Sequence, residues 1–259
     1  MRAVRPAKKM MEQSARGKRV VCLVTLLRSV IQMSTITISD VKEINYFSCE
    51  SSDRFWVSGE TELLNVDSRG NVLRRPKVGF SGISTNTDGE LLFSDTIGVK
   101  KLESNGIITT LFAIDESIWC IHSSRINGDI LLGLRNTTLR TSKVTRYDVT
   151  GQKILDIEED NQGVKLYAIT KLHHREQERG YLGICTDILR NVLVCNSSFS
   201  DPGVHLLDQD GQFLSMLLTK EHNVQFPKAV CVDDKHNLYL GQYGSNIITV
   251  YKYLQVSEN

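Results

Sequence analysis

The chain lacks most of what marks a specialised protein class. Its 259 residues include only four prolines and 18 glycines, too few for a collagen-like or proline-rich architecture. No window holds the ~18 uncharged apolar residues that a membrane-spanning helix requires. The six cysteines (Cys22, Cys49, Cys120, Cys185, Cys195 and Cys231) form no Cys-x-x-Cys pair, the short spacing that usually builds a tetrahedral zinc site. There is no Gly-x-x-x-x-Gly-Lys phosphate loop and no His-Glu-x-x-His helix. Gly79-Phe80-Ser81-Gly82 falls short of the Gly-x-Ser-x-Gly nucleophile elbow and lies between repeats. No catalytic residue, metal ligand or cofactor is therefore expected, and the chain reads as no enzyme. Disulfide frameworks belong to small secreted chains, so the cysteines are expected to be free thiols in a reducing, cytoplasmic setting.

What is present is a mixed chain, 41% hydrophobic and 24% charged, with ample material for a core. The net charge of +1 hides an asymmetry. Residues 1–33 carry eight of the 31 Lys and Arg residues and one acid, Glu12, which leaves 34–259 with a net charge of −6. An acidic body argues against a surface covered in phosphate contacts, although a local basic face remains open. The apolar run at 20–27 follows basic residues as a signal peptide would. Arg28 ends that run early and no small-x-small cleavage site follows it. The Arg-rich, acid-poor composition fits a mitochondrial presequence slightly better. The simplest expectation is a basic tail over 1–33 that enters one short helix or strand. The sequons at Asn136 and Asn196 matter only in a secreted protein.

A recurring strand organises the remainder. Phe55-Trp56-Val57-Ser58, Leu91-Leu92-Phe93-Ser94, Ile130-Leu131-Leu132-Gly133, Val192-Leu193-Val194-Cys195 and Leu238-Tyr239-Leu240-Gly241 each place three large apolar residues before a small one. Such runs suit strands buried on both faces, and the small residue admits close approach of a neighbour. Four repeats continue into an apolar strand ending in acid-x-x-Gly, at Asp67–Gly70, Glu103–Gly106, Asp148–Gly151 and Asp208–Gly211. The acid can bond backbone two residues on, and Gly supplies the positive φ of a tight hairpin. A further strand precedes the later repeats and carries Cys120, Cys185 and Cys231 at matching positions, where Cys acts as a small hydrophobe. Four strands per repeat is the pattern of a β-propeller blade, so the expected fold is an all-β propeller of about five blades over 34–259.

Two irregularities stand out. Successive repeats lie 36, 39, 62 and 46 residues apart. The 62-residue interval is too long for one blade of about 40 residues and too short for two. Its surplus falls in an irregular segment at 158–180, read as an insertion or the remnant of a lost blade. The last repeat also lacks its outer strand, and a strand lent from the other terminus would close the ring. Thr35–Ile38 or Ile44–Phe47 is the natural donor.

Candidate binding residues are basic. Arg135, Arg140 and Lys143 are read in the long loop of the third repeat, and Lys171, Arg175 and Arg179 lie in the irregular segment. Together they could form one patch for RNA phosphate or an acidic partner, against the plainer reading of a solvated surface. Aromatic residues for base stacking are not evident nearby, which weakens the RNA version. His173-His174 beside Glu176 and Glu178 reads as a charged loop, because adjacent residues do not converge by themselves. Asp67, Asp148 and Asp208 read as turn residues.

At Gly183–Asn196, Val204–Leu214 and Cys231–Gly241, supported by Lys143–Gly151 and Val250–Leu254, the chain resembles the NHL-repeat propellers of tripartite-motif (TRIM) proteins, especially the molluscan TRIM-like set. The resemblance covers roughly 41–255. It implies recognition, since such propellers bind protein partners or structured RNA through loops on one face. Family members usually have six blades, with RING, B-box and coiled-coil modules upstream; this sequence shows neither the zinc pattern nor the heptads. The expected function is a non-catalytic, ubiquitin-ligase-related recognition scaffold with a protein or RNA partner, no membrane and no small-molecule substrate. Two alternatives stand beside it: a metal-dependent lactonase or lyase similar to regucalcin, and an inert paralogue fragment.

Overall fold

The computed structural model describes residues 8–15, 18–95, 97–103, 105–136, 141–158, 183–197 and 202–258. Two strands come first, β1 (Lys8–Ala15) and β2 (Lys18–Thr37). Blade 1 follows as β3 (Tyr46–Cys49), β4 (Arg54–Ser58), β5 (Leu63–Asp67) and β6 (Val72–Arg74). Blade 2 holds β7 (Gly82–Thr85), β8 (Leu91–Ser94), β9 (Gly98–Leu102) and β10 (Ile108–Ala113). Blade 3 holds β11 (Ser117–Ser123), β12 (Ile130–Asn136), β13 (Thr141–Tyr147) and β14 (Lys153–Ile157). Blade 4 holds β15 (Ile184–Thr186), β16 (Val192–Asn196), β17 (Gly203–Leu207) and β18 (Phe213–Leu218). Blade 5 is built from β19 (Pro227–Val232), β20 (Asn237–Gln242) and β21 (Ile247–Glu258), completed by β2 and β1 in the order β1-β2-β21-β20-β19.

Each repeat is thus an antiparallel meander, and the recurrent apolar run is its second strand. Phe55, Trp56 and Val57, like their counterparts in the other blades, are buried because both sheet faces are covered by neighbouring blades. The first strands β3, β7, β11, β15 and β19 abut one another in sequence, and β19 returns to β3. That contact closes a five-bladed ring. At Gly133 the small residue ending the recurrent run has a packing reason: a Cβ there would sit 2.4 Å from Cys120 Sγ.

Ring closure uses the donor expected from the sequence. Thr35, Ile36 and Thr37 pair with Thr249, Ile248 and Ile247, and the pairing runs back to Cys22 opposite Glu258. β2 therefore crosses the boundary drawn at residue 33. Ile44–Phe47 instead leads into the first strand of blade 1. Ile38 and Ile44 donate their backbone N–H groups to Asn246 and Ser245 at 2.9 Å.

The hairpin device is more widespread than the acid-x-x-Gly pattern suggests. Asp67 Oδ1 accepts the N–H groups of Arg69 and Asn71 at 2.8 and 2.9 Å, and Asp148 and Asp208 do the same in their turns. These bonds favour the ionised form, and the carboxyls of Asp67 and Asp148 lie below their ordinary range, led by side-chain bonds from Asn71 and Thr150. The turn glycine also serves packing. A Cβ on Gly70 would lie 2.3 Å from Thr37 O in the outer strand of blade 5, and one on Gly211 would lie 2.6 Å from Ile157 at the end of blade 3. The same capping joins the first and second strands at Asn86, Asp187 and Asp233. In two of those turns the left-handed position holds Arg190 (φ 67°) and His236 (φ 64°) rather than glycine.

The expectation of free thiols needs correction at two positions. Cys49 and Cys231, 182 residues apart, form a disulfide between β3 and β19. Ring closure places the first strands of blades 1 and 5 side by side, a proximity that no local spacing reports. Cys120, Cys185 and Cys195 are free and buried. Burial pushes the Cys120 thiol up to about 12 and raises Cys185 and Cys195 as well, which makes all three unreactive.

Candidate functional site

The first strands surround the axis of the ring, and their polar side chains bond to one another. Ser48 and Thr85 hydroxyls lie 3.1 Å apart, and Thr85 Oγ1 donates to Cys49 O at 2.7 Å. Ser123 N donates to Ser84 Oγ at 2.8 Å. Thr186 N donates to His122 Nε2 at 3.0 Å, with Thr186 Oγ1 2.9 Å from the same nitrogen. Accepting a backbone N–H requires a lone pair on Nε2, so the proton of His122 sits on Nδ1. Burial pulls this imidazole down to about 3, aided by Arg125. His122 is thus a neutral acceptor, with no proton to exchange near neutrality.

A cation lies at each end of the first strands. At one end Arg125, from the turn after β11, donates to Cys49 O in blade 1. Burial draws its guanidinium below its usual range, against the opposing pull of Asp234, Asp233 and Glu50 from blades 5 and 1. Blade 3 neighbours neither of those blades, so this side chain crosses the mouth of the channel. At the other end Lys228 of β19 is 3% exposed and donates to Glu43 and Asn45, with Tyr243 across its ammonium at 5.1 Å. Asn45 in turn donates to Gly59 O at 2.8 Å.

A third polar site opens between blades 3 and 4. The turn after β11 spans Ser124 to Asp129, one residue longer than the turns capped by Asn86, Asp187 and Asp233. Its Asp129 turns back into the seam, where Oδ2 accepts from Arg146 Nε and Asn127 Nδ2, each at 2.7 Å. Ser124, Asn127, Asp129, Arg146, Thr186 and Arg190 line a small open cleft, with Leu131 and Val192 as its apolar walls.

The basic residues singled out from the sequence do not gather into one patch among the described residues. Arg135 pairs with Ser142 and Leu134 with Lys143, so Arg135 and Lys143 leave the sheet on opposite faces. Arg135 lies over the Trp119 ring, 4.5 Å from its centroid. Lys143 sits between Glu116 at 3.0 Å and Asp156 at 3.4 Å, and these partners raise its ammonium despite partial burial. Arg140, Lys171, Arg175 and Arg179 lie outside the described residues, as do His173-His174 and nearly all of 158–180. Arg125, Arg146 and Arg190 were not singled out. The clue available for them was the extra residue in Ser124–Asp129 and an arginine where the other turns carry glycine or histidine.

Among the described residues, no three His, Cys, Asp or Glu side chains converge as a metal site. No described helix is long and apolar enough to cross a membrane.

No protein-family model and no curated protein sequence matches the chain. Solved structures do resemble it. A glutaminyl cyclase from Myxococcus xanthus aligns with a TM-score of 0.61 at 10% identity, over 88% of this chain and 97% of that one. A gluconolactonase from Xanthomonas campestris aligns with a TM-score of 0.52 at 13% identity, over 95% and 94%. A chain of the nidogen–laminin complex aligns with a TM-score of 0.51 at 15% identity, over 78% and 73%. At these identities the likeness is one of fold alone.

Proposed function

We propose that the chain is a non-catalytic recognition propeller of NHL type that binds a protein partner through exposed loops and seams. The observation that carries this reading is Arg125, whose guanidinium crosses the channel mouth from blade 3 to blade 1. A propeller hydrolase places its chemistry on the axis. Here one axial end already holds a guanidinium as the counter-ion of Glu50, Asp233 and Asp234, so those carboxylates do not stand bare for a divalent cation. The polar groups along the axis are spent on one another, which suits a scaffold. A protein partner is favoured over RNA because Lys143 is neutralised by Glu116 and Asp156, and phosphate recognition needs clustered cations with a surplus of charge.

Fold similarity to a gluconolactonase and a glutaminyl cyclase favours the enzymatic alternative, and one pair of assays separates the two readings. The full chain is assayed for lactone hydrolysis with Ca²⁺, Mn²⁺ or Zn²⁺ added, and used in parallel to capture proteins from lysate with and without ribonuclease. The recognition reading expects no turnover above background, with saturable capture of a defined protein that ribonuclease leaves intact. Metal-dependent turnover abolished by chelation would overturn it, and ribonuclease-sensitive capture would move the partner to RNA.

A further inference from the structure

The cleft between blades 3 and 4 has the build of a subsite for a single anionic side chain. Two guanidinium groups face it against one carboxylate, and that carboxylate is already engaged. Asp129 is 7% exposed and holds Arg146 through Nε at 2.7 Å, with Asn127 fixing the same oxygen. Arg146 is therefore an oriented guanidinium, with its Nε and Nη2 edge paired to a buried partner and the remainder left for a further acceptor.

Arg190 supplies the other wall. It sits at φ 67°, in the left-handed region where β-carbons are disfavoured and where the corresponding turns of blades 2 and 3 use Gly89 and Gly128. Its side chain is exposed and meets no partner among the described residues. A turn that carries Arg where Gly would fold more easily retains a local cost without a local contact to offset it. Between the two arginines, Leu131 and Val192 form an apolar wall and Thr186, held by His122, contributes a hydroxyl.

The geometry points to a carboxylate-reading subsite in which a glutamate side chain of the partner protein inserts between Arg146 and Arg190, its methylenes against Leu131 and Val192. This assignment rests on the recognition reading and names the chemistry of the partner. No bond is made or broken in it.

The test uses the full chain labelled at arginine Nε and titrated with glutarate, a free mimic of the glutamate side chain. Saturable shifts of the Arg146 and Arg190 Nε–H signals are expected, with glutaramide silent and inorganic phosphate weaker. Arg190→Gly is the decisive variant, because glycine suits the left-handed turn and should melt at or above the parent temperature. It is expected to weaken glutarate binding at least about tenfold. Arg190→Lys keeps the charge without the fork and should recover part of the affinity. The proposal is overturned if Arg190→Gly binds glutarate like the parent, or if glutaramide or phosphate shifts the same signals as strongly. A chain that captures its protein partner equally well with Arg190→Gly, yet ignores glutarate, would sink this subsite and leave the recognition reading standing.

Discussion

Two seams of the ring are built in opposite ways. Between blades 5 and 1, Ile36, Ile38, Ile44, Phe47 and Val57 join Tyr239, Ile248 and Val250 in one apolar core. Phe55 and Tyr239 rings pack with centroids 5.0 Å apart, and the Cys49–Cys231 disulfide crosses the same seam. Between blades 3 and 4 the apolar core is smaller, built around Cys120, Leu131, Val144, Ile184 and Val192. There the seam ends in a polar cleft. The first seam joins the two ends of the chain, where opening would unravel the ring, and it is secured by a lent strand, a core and a covalent bond. The other seam lies mid-chain, where neighbouring blades are tethered anyway, and can leave room for a ligand.

The comparison breaks most visibly under core truncation. Ile38→Ala removes a fully buried side chain from the closing seam and should cost about 4 kcal/mol in denaturant unfolding. Ile184→Ala, beside the cleft, should cost about 2 kcal/mol because its surroundings can relax. Equal losses would remove the distinction between the seams. Next comes the disulfide. Cys49→Ser should cost about 3 kcal/mol and abolish sensitivity to reductant, which otherwise lowers the melting temperature of the parent protein. A parent protein indifferent to reductant would show the bond to be energetically silent.

Acid sharpens the comparison, because two groups shifted within the acid range, His122 and Asp187, lie at seams of blade 4. His122, at the blade 3–4 seam, has its folded value pulled down to about 3 from an ordinary 6.5 by burial. The unfolded chain binds that proton first, so the stability contributed is present above pH 6.5 and lost as pH falls toward 3. Asp187, which accepts from Asn191 and from Tyr253 of blade 5, is pushed up to about 6 by burial. Its contribution runs the other way, full below an ordinary 3.8 and lost as pH rises to 6. The two oppose each other between about pH 4 and 6. His122→Gln keeps an acceptor for Thr186 N–H but removes the titration. It should become more stable on acidification from 6 to 4, by on the order of 2 kcal/mol. Asp187→Asn should instead steepen the acid loss. Thermal melts across that range decide the matter, and parallel profiles for both variants would contradict it. The smallest effect belongs to His236→Gly, which relieves a left-handed side chain and should raise stability by about 0.5 kcal/mol.

How far the sequence reveals this molecule differs by feature. The blades were legible because Phe55-Trp56-Val57-Ser58 and its four counterparts report two-sided burial, and Asp67-x-x-Gly70 reports a turn, both through local chemistry. The lent strand was legible because the last repeat ran out before its hairpin. The turns capped by Asp187 and Asp233 were hidden, since Arg190 and His236 occupy positions where glycine would have been the signal. The disulfide was hidden because Cys49 and Cys231 become neighbours only when the ring closes. Lys143 looked like a free cation because no sequence pattern placed Glu116 and Asp156 around it.

The most direct test of recognition at a seam, rather than chemistry on the axis, is hydrogen exchange of the full chain with and without saturating glutarate. Slowed exchange confined to 124–131 and 183–192 is the predicted result. Slowing at Ser48, Thr85 and Lys228 instead, with 183–192 unchanged, would place the ligand on the axis and contradict the account.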